Sequence, residues 1–398
     1  MKLAAIATHP IQYQAPLWRA ITASGKIGLK VFFATRHGLE PSLDRGFGKS
    51  FAWDIPLIEG YDHEFLPSVR IPLFKGPVGD RFPKGLEKRL REGHFDAVLV
   101  HGYANAAAWA GMLAAWKIHI PVIIRGDTHE HGRSKSVRIR LKRLLLPLLL
   151  RRVNGFLAIG TWNKEYWNGY GAPLSQIETA FFAVDNKFFA SKCEAQTALA
   201  QSLRSKWGVP EDGVVFLYCA KLITVKAPEL VLKAFAMIAE PKAHLVFVGA
   251  GPLETSLQQL QRDLGVQNVH WEGFVNQSAL PAYYRASEVL VLPSRFEPWG
   301  LVVNEAMACG TPSIVSDVVG AGPDMVEGQD TGLIFPHDNV EALAAALRMA
   351  CNPELRRRWK GNIPPVLEKA DFAQNVMALE AMLLRLKNRA PSNANELK

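Results

Sequence analysis

Our fold prediction for this chain starts from one stretch, Ser294-Arg-Phe-Glu-Pro-Trp-Gly-Leu-Val-Val-Asn-Glu-Ala-Met-Ala-Cys-Gly310. The apolar run before it, residues 288–293, is typical of a buried parallel strand. The second half of the stretch predicts a helix that ends at the glycine. Glu297 therefore lies in the loop after the strand, and Glu305 lies on the helix, with seven residues between them. In open α/β sheets ligands bind at this edge, where a helix N-terminus favours a phosphate.

Glu305 has two interpretations: a solvated helix carboxylate, or a carboxylate that binds a ligand. The helix is apolar on nearly all sides of this residue, at Leu301, Val302, Val303, Ala306 and Met307. A buried carboxylate is rarely left without a polar partner. We therefore favour a ligand role, with Glu305 on a ribose and Glu297 beside a sugar hydroxyl.

Composition bounds the class of protein. The 398 residues, 48% hydrophobic and 21% charged, are enough for two α/β domains with full cores or for one large domain. The cysteines are too widely spaced for a metal or redox pair, which predicts reduced thiols in a cytosolic protein: Cys193, Cys219, Cys309 and Cys351. The apolar N-terminus is too short for a secretory signal and predicts a first strand.

Charge is distributed unevenly along the chain. Residues 1–190 hold 26 Lys and Arg against 15 Asp and Glu, a net +11, whereas the remaining 20 basic and 22 acidic residues give −2. A basic first half predicts an anionic partner for that half, such as a membrane surface, a phosphorylated acceptor or nucleic acid.

Strand-like and helix-like segments alternate through the first half, which predicts a doubly wound parallel sheet. The predicted strands are Leu3–Ala7, Leu29–Ala34, Ala97–Val100, Val122–Ile124 and Gly155–Ile159. The predicted helices are Pro16–Ala23, Lys84–Glu92 and Asn105–Trp116. A linker is predicted in the polar residues 191–212, before a second strand–helix series that begins at Val214.

Two loops of the first half carry candidate site residues. The loop after the first strand, Thr8–Gln14, contains His9 and Gln12 but no Gly-x-Gly-x-x-Gly, so a purely structural loop is an equal alternative. A later strand ends in Arg125-Gly-Asp-Thr-His-Glu-His131. The spacing of these residues fits neither a zinc site nor a hydrolase triad. We predict that Asp127 or His129 contacts substrate, because sites form at strand ends.

The segment Arg133–Arg152 carries eight basic residues and no acidic residue around a run of leucines. The run is too short to span a bilayer, which requires about 20 apolar residues. A basic, leucine-rich helix can lie in the interface of an anionic membrane. The alternative is a core helix with a solvated basic side. Nucleic-acid binding is disfavoured, because no aromatic residues interleave with the basic ones.

The second half offers cations and glycines at strand ends. Lys221 and Lys226 lie in a strand-to-helix loop and can neutralise a diphosphate. Gly249 and Gly251 permit a close approach of backbone after the next strand. The strand end at Trp271–Val275 offers a place for a nucleotide base. At the end of the chain, the spacing of apolar residues predicts a last helix over residues 371–389.

Several of these residues together resemble the donor site of retaining glycosyltransferases of group 1 (family 4). The resemblance rests on the Glu-x7-Glu pair together with Gly273-Phe-Val-Asn276, Gly310-Thr-Pro312 and Gly332-Leu-Ile-Phe-Pro336. It is specific from about residue 155 to 345 and looser before. Where the family has Arg at the diphosphate, this chain has Lys221, and where the family often has His, it has Asp127.

The resemblance implies a fold, domain bounds and site residues. The expected fold is GT-B, two facing Rossmann-like doubly wound parallel-sheet domains with a C-terminal helix that crosses back to the first. The expected bounds are an acceptor-side domain 1–190, a linker region 191–212, a donor domain 213–370, and the last helix and tail 371–398. Glu297, Asp127 and His129 are expected to be catalytic. Expected donor-binding residues are Lys221, Lys226, Glu305, Gly300, Trp299, Leu301, Gly249, Gly251, Phe274 and Val275, and expected acceptor-side residues are His9, Gln12 and Arg125.

The implied function is retaining transfer of a sugar from a nucleoside diphosphate sugar to an acceptor hydroxyl in cell-surface polysaccharide or glycolipid assembly. No Asp-x-Asp occurs, so we expect no metal and no cofactor. Expected partners are the donor, a glycan or lipid-linked acceptor and an anionic membrane, but not nucleic acid. The expected location is cytoplasmic, on the inner face of the cell membrane. The alternatives are a nucleotide-sugar epimerase of the same fold and a non-catalytic membrane-associated scaffold.

Overall fold

The computed structural model describes residues 1–44, 46–74, 78–132 and 137–389. The first four residues of the basic segment and the tail after residue 389 lie outside these ranges. Within them, no helix is both long and apolar enough to cross a bilayer.

The first domain alternates strands and helices along most of its length. Its elements are β1 (Lys2–Ala7), α1 (Ala15–Ala23), β2 (Gly28–Phe33), β3 (Ser42–Asp44), β4 (Lys49–Phe51), β5 (Asp62–Phe65), β6 (Ser68–Arg70), β7 (Arg81–Pro83), α2 (Leu86–Gly93), β8 (Ala97–His101), α3 (Ala106–Lys117), β9 (Val122–Gly126), α4 (Val137–Leu150), β10 (Gly155–Ala158), α5 (Thr161–Gly169) and β11 (Ile177–Thr179). Seven strands form a parallel sheet in the order β11-β10-β9-β8-β1-β2-β5. Strands β3 and β4 form an antiparallel hairpin outside this sheet, as do β6 and β7.

The second domain repeats the same architecture. Its elements, with the connecting and C-terminal helices, are α6 (Asn186–Ala195), α7 (Thr197–Lys206), β12 (Val214–Cys219), α8 (Pro228–Ile238), β13 (Ala243–Val248), α9 (Glu254–Asp263), β14 (Val269–Gly273), α10 (Leu280–Arg285), β15 (Val289–Leu292), α11 (Leu301–Ala308), β16 (Ser313–Ser316), β17 (Gly332–Phe335), α12 (Val340–Ala350), α13 (Pro353–Lys369) and α14 (Phe372–Arg389). Six strands form a parallel sheet in the order β14-β13-β12-β15-β16-β17.

Strand β12 shows why an unbroken apolar run forms a central strand. All of its residues are buried, and successive side chains point to opposite faces of the sheet. Phe216 and Tyr218 pack into the core on one face, whereas Val215 and Leu217 pack into the core on the other. A strand covered by helices on both faces is therefore apolar at every position.

Two elements connect the domains. The predicted linker region is largely helical, and α6 and α7 pack against α10 of the second domain. The last helix, α14, leaves the second domain and packs on α1, β10 and β11 of the first. Two facing parallel-sheet domains with a returning helix confirm the predicted fold, whereas the domain bounds at 190, 212 and 370 stay predictions.

Candidate active site

A cavity of about 560 Å³ lies between the two domains and is lined by residues of both. In the described part of the chain, its lining includes most of the residues predicted for a site: His9, Gln12, Asp127, Lys221, Lys226, Glu297, Trp299, Gly300, Leu301 and Glu305. Six other predicted residues lie outside the lining: Arg125, His129, Gly249, Gly251, Phe274 and Val275. The roles of all these residues stay predictions, but their placement is now defined.

The loop that carries Glu297 is held by the segment after β16. The backbone amide of Gly320 donates to the carbonyl of Glu297 at 3.0 Å, and Glu297 forms an isolated parallel bridge with Val319. A Cβ atom at Gly320 would lie 2.0 Å from the carbonyl oxygen of Pro298, so only glycine fits this approach. The carboxylate of Glu297 is largely buried, pairs with Lys226 and accepts from the Ser294 hydroxyl at 3.4 Å.

Glu305 faces the same cavity from α11. Its carboxylate accepts a hydrogen bond of 2.6 Å from the hydroxyl of Tyr284. Burial raises the pKa of Glu305 from 4.5 to about 7, although the hydrogen bond from Tyr284 acts in the opposite direction. The ribose role predicted for Glu305 is compatible with this position, because hydroxyl donors would stabilise its charged form.

The two predicted phosphate-binding lysines already have carboxylate partners. Lys226 pairs with Glu297 of the same domain. Lys221 pairs with Asp44, which lies at the end of β3 in the first domain, and both of its carboxylate oxygens are 2.9 Å from the ammonium nitrogen. The sequence does not reveal Asp44, because no local pattern marks a contact between residues 177 positions apart.

The start of α11 is shaped by Trp299 and Gly300. Gly300 adopts a φ of +99°, in the left-handed region that glycine tolerates, directly before the helix. The indole of Trp299 donates to Asn304 at 2.8 Å, and the Asn304 amide donates to the carbonyl of Phe182 at 2.9 Å. Asn304 is fully buried and joins α11 to the first domain, a role that its place in an apolar helix does not reveal.

The first domain contributes imidazole and carboxylate groups to the cavity. The His9 Nδ1 atom lies 2.8 Å from the Thr8 hydroxyl, and burial together with the neighbouring His37 lowers the pKa of His9 to about 4. Asp127 and Gln12 line the cavity near Tyr13, and burial raises the pKa of Tyr13 to about 12. The acceptor side therefore presents a neutral imidazole at physiological pH.

His129 and Arg125 lie outside the cavity lining, and each contacts a distant part of the chain. The His129 Nε2 atom is 3.0 Å from the carbonyl oxygen of Glu297, so the ring contacts the backbone of the predicted catalytic loop. Arg125 is buried and donates to the side chain of Asn375, on α14, at 2.7 Å. Burial lowers the pKa of Arg125 to about 10. Both side chains brace surrounding structure in this conformation.

The remaining predicted residues support the donor side from outside the cavity. Cβ atoms at Gly249 and Gly251 would lie 1.9 and 2.5 Å from the carbonyl oxygens of Ala220 and Leu222, so these glycines let backbone approach the Lys221 loop. Phe274 packs against two aromatic rings of the first domain, and Val275 packs against the core of the second.

Two family models match the chain. The model of glycosyl transferases group 1 matches residues 200–364, and the model of glycosyltransferase family 4 matches residues 28–187. A D-inositol 3-phosphate glycosyltransferase from Thermomonospora curvata is 31% identical over 201 residues, which are 48% of this chain and 47% of that protein. The chain spans about half the length of the curated relatives it matches.

Solved structures agree in fold. A glycosyltransferase from Rickettsia africae ESF-5 matches with a TM-score of 0.74 at 13% identity, over 98% of this chain and 99% of that one. The Anabaena protein Alr3699/HepE, in complex with UDP and glucose, matches with a TM-score of 0.70 at 16% identity, over 97% and 100%. The two family models, one on each domain, place the chain in the group 1 (family 4) glycosyltransferases, and the solved structures show that its fold is GT-B.

Proposed function

We propose that this protein transfers a sugar from a nucleoside diphosphate sugar to an acceptor hydroxyl and retains the anomeric configuration of the sugar. The proposal is carried by the interdomain cavity, where Lys221, Lys226, Glu297 and Glu305 face Asp127 of the first domain. The Anabaena structure of the same fold is a complex with UDP and glucose, which supports a nucleotide-sugar donor.

On the donor side, Glu305 binds the ribose and the two lysines bind the diphosphate. Glu305 accepts hydrogen bonds from the ribose hydroxyls. The ammonium groups of Lys221 and Lys226, with the amides of the first turn of α11, stabilise the negative charge that develops on the leaving diphosphate. In this proposal the two lysines supply the positive charge, so no metal ion is required.

On the sugar side, the transition state gains positive character at the anomeric carbon. Glu297 is largely buried at the cavity wall, where its charge counts for more than in water. Asp127 lines the cavity from the other domain and is proposed to accept the proton of the acceptor hydroxyl. His129 holds the backbone of the Glu297 loop and is proposed to act by positioning it.

Purified protein incubated with a panel of nucleotide sugars tests this function. We expect release of a nucleoside diphosphate with one donor and an acceptor, and an unchanged anomeric configuration in the product by NMR. An altered free nucleotide sugar formed without acceptor would instead show an epimerase. A protein that binds no nucleoside diphosphate would be a scaffold.

We further propose that the acceptor is presented at an anionic membrane and that α4 rests on that surface. Four leucines at helical spacing are exposed to 55%, 70%, 53% and 56%: Leu141, Leu144, Leu145 and Leu148. Exposed basic residues surround this stripe: Arg140, Arg143, Arg151 and Arg152. A leucine stripe flanked by cations is typical of a helix at a lipid interface. The exposed leucine stripe supports a peripheral protein on the inner face of the cell membrane. For such a protein we propose a role in polysaccharide or glycolipid assembly.

Flotation with vesicles of phosphatidylcholine and phosphatidylglycerol tests the membrane contact. We expect binding that weakens as salt rises, because surface attraction decays within about 8 Å at physiological ionic strength. Glutamine at the four arginines that flank the stripe should abolish it. A matched control removes four exposed cations elsewhere in the domain: Arg70, Lys84, Lys88 and Arg91. Equal loss in both variants would contradict a role for α4.

A further inference from the structure

The β3–β4 hairpin of the first domain places a carboxylate in the predicted diphosphate site. Asp44, at the end of β3, contacts Lys221 through both carboxylate oxygens, each at 2.9 Å. The ammonium group of Lys221 also lies 4.7 Å from the ring centre of Phe47. All three residues line the cavity between the domains.

Asp44 is held in a defined orientation. Its Oδ1 atom accepts hydrogen bonds from the amides of Gly46 at 2.7 Å and Phe47 at 3.0 Å. Burial raises the pKa of Asp44, but the hydrogen bonds from Lys221 and from the amides of Phe47 and Gly46, together with the charge of Lys221, lower it by more, so the net pKa lies below its ordinary value. Asp44 is therefore an anion at neutral pH.

The hairpin and the residues after it have other contacts with the second domain. The rings of Phe47 and Phe51 lie 4.9 and 4.3 Å from that of Phe274. The side chain of Asn276 donates to the Ala52 carbonyl at 2.8 Å, and the amide of Ser278 donates to Asp54 at 3.1 Å. These contacts can persist when the Asp44–Lys221 pair opens.

The two lysine pairs differ in how readily an incoming phosphate can open them. Side chains of the Lys226–Glu297 pair are 21% and 12% exposed, whereas those of Lys221 and Asp44 are 33% and 32% exposed. A more exposed pair is weaker, because water screens it and solvates the freed carboxylate. The Asp44–Lys221 pair is thus the one that opens at lower cost.

We propose that Asp44 is a displaceable internal occupant of the diphosphate site, and that the donor diphosphate binds by taking its place on Lys221. The inference rests on the proposed function. In this proposal Asp44 sets the affinity of the protein for the donor. A diphosphate with two negative charges displaces the single carboxylate of Asp44 from Lys221, whereas an anion of lower charge does not.

Calorimetric titration of the full chain with UDP, GDP, ADP and inorganic pyrophosphate tests the proposal. Asp44→Asn keeps the size and the Oδ1 acceptor but removes the competing charge. We expect it to bind the preferred nucleoside diphosphate about fivefold more tightly, which corresponds to about 1 kcal/mol. In a Lys221→Ala background the same substitution should have no effect, because the shared partner is gone.

Asp54→Asn is the matched control, since Asp54 crosses the same interface but contacts Ser278 rather than a lysine. We expect it to leave affinity unchanged. The proposal is overturned if Asp44→Asn binds no more tightly than wild type, or if Asp54→Asn has the same effect. Diphosphate release from a nucleotide sugar with no response to Asp44→Asn would sink this inference alone. Absence of any nucleoside diphosphate binding would sink the proposed function too.

Discussion

At the scale of single residues, Glu305 combines a proposed binding role with an environment that opposes its charge. Burial raises its pKa to about 7, so near neutral pH the carboxylate is only partly ionised in the empty site. A carboxylate accepts two ribose hydroxyls better than a carboxylic acid does. We predict that affinity for the preferred nucleoside diphosphate increases from pH 6 to pH 8 in wild type, measured by calorimetry. Glu305→Gln should bind more weakly and lose this dependence, and a parallel pH profile in the variant would contradict the assignment.

The carboxyl group of Glu305 also makes the protein without ligand less stable at high pH. Because its folded pKa is raised above the ordinary 4.5, the folded state holds the proton more tightly than the unfolded state. The stability that the protonated Glu305 contributes is complete below the ordinary glutamate pKa of 4.5 and is lost as pH rises through the folded-state pKa of about 7. We predict that Glu305→Gln raises Tm relative to wild type at pH 8 and that the difference shrinks at pH 5. A difference that grows toward low pH would show the opposite sign of shift.

Whether a site residue could be predicted from the sequence depends on how far apart in the chain its contacts lie. Glu297 and Glu305 follow from a strand, a loop and a helix that are adjacent in sequence. Asp44 pairs with Lys221 only because two separate domains face each other, and no periodicity encodes that contact. Arg125 is buried outside the cavity lining, and its partner Asn375 is 250 residues away, so no local pattern encodes this pair either, and an acceptor-side role for Arg125 stays a prediction.

At the scale of elements, the Glu297 loop depends on a close backbone approach by the segment after β16. A Cβ at Gly320 would meet the Pro298 carbonyl oxygen at 2.0 Å and the Trp299 Cα at 3.1 Å. Backbone atoms cannot move aside as a flexible side chain can. We predict that Gly320→Ala lowers stability by about 1–3 kcal/mol and weakens nucleoside diphosphate binding, measured by urea unfolding and calorimetry.

Gly361 provides the matched control for that substitution. It lies within α13, and beyond the backbone of its own helix a Cβ there would meet no atom of the described residues within 4 Å. Gly361→Ala should stabilise the protein by about 0.5–1 kcal/mol, because alanine loses less backbone entropy in a helix. Destabilisation by both substitutions would mean that alanine is poorly tolerated for a reason other than the close approach at Gly320.

Helix α4 shows where sequence periodicity is insufficient at this scale. A run of leucines is apolar on every side, so the sequence left an interfacial helix and a core helix as alternatives. In the structure Leu146 and Leu150 are buried, whereas Leu144 is 70% exposed. The helix therefore has one core face and one exposed apolar face, a division set by the domain beneath it.

At the scale of the whole molecule, the facing domains and the returning last helix were predictable, because the resemblance to the family implies them. The individual contacts across the cleft were not. Asn375 of α14 binds Arg125 and also donates to the carbonyl of Phe181, so the last helix is tied to β9, the strand that precedes Asp127. His129 and Asn304 add further contacts between domains. Scattered polar pairs of high sequence separation thus join the packing of α14 and of the Phe274 ring in holding the domains in place.

One of these pairs joins the domains through a helix terminus. Helix α5 of the first domain begins after Gly160, which has no side chain to cap it, and the cap comes from Asp324 of the second domain. The Asp324 carboxylate accepts from the amide of Thr161 at 2.8 Å and from its hydroxyl at 2.6 Å. A capping carboxylate contributes about 0.5–2 kcal/mol, and here that free energy favours the closed cleft.

We predict that Asp324→Ala opens the cleft of the empty protein and weakens donor binding. Because a donor that contacts both domains binds the closed form, apparent affinity falls with the closed fraction. A loss of about 1 kcal/mol then raises donor KM by up to about fivefold, and small-angle scattering should show a larger radius of gyration that saturating nucleoside diphosphate reduces. Asp212→Ala is the control, since Asp212, the last residue of the predicted linker region, pairs with Lys242 of the second domain and not with the first domain. An unchanged radius of gyration and KM in Asp324→Ala would mean that the remaining interdomain contacts hold the cleft closed without this cap.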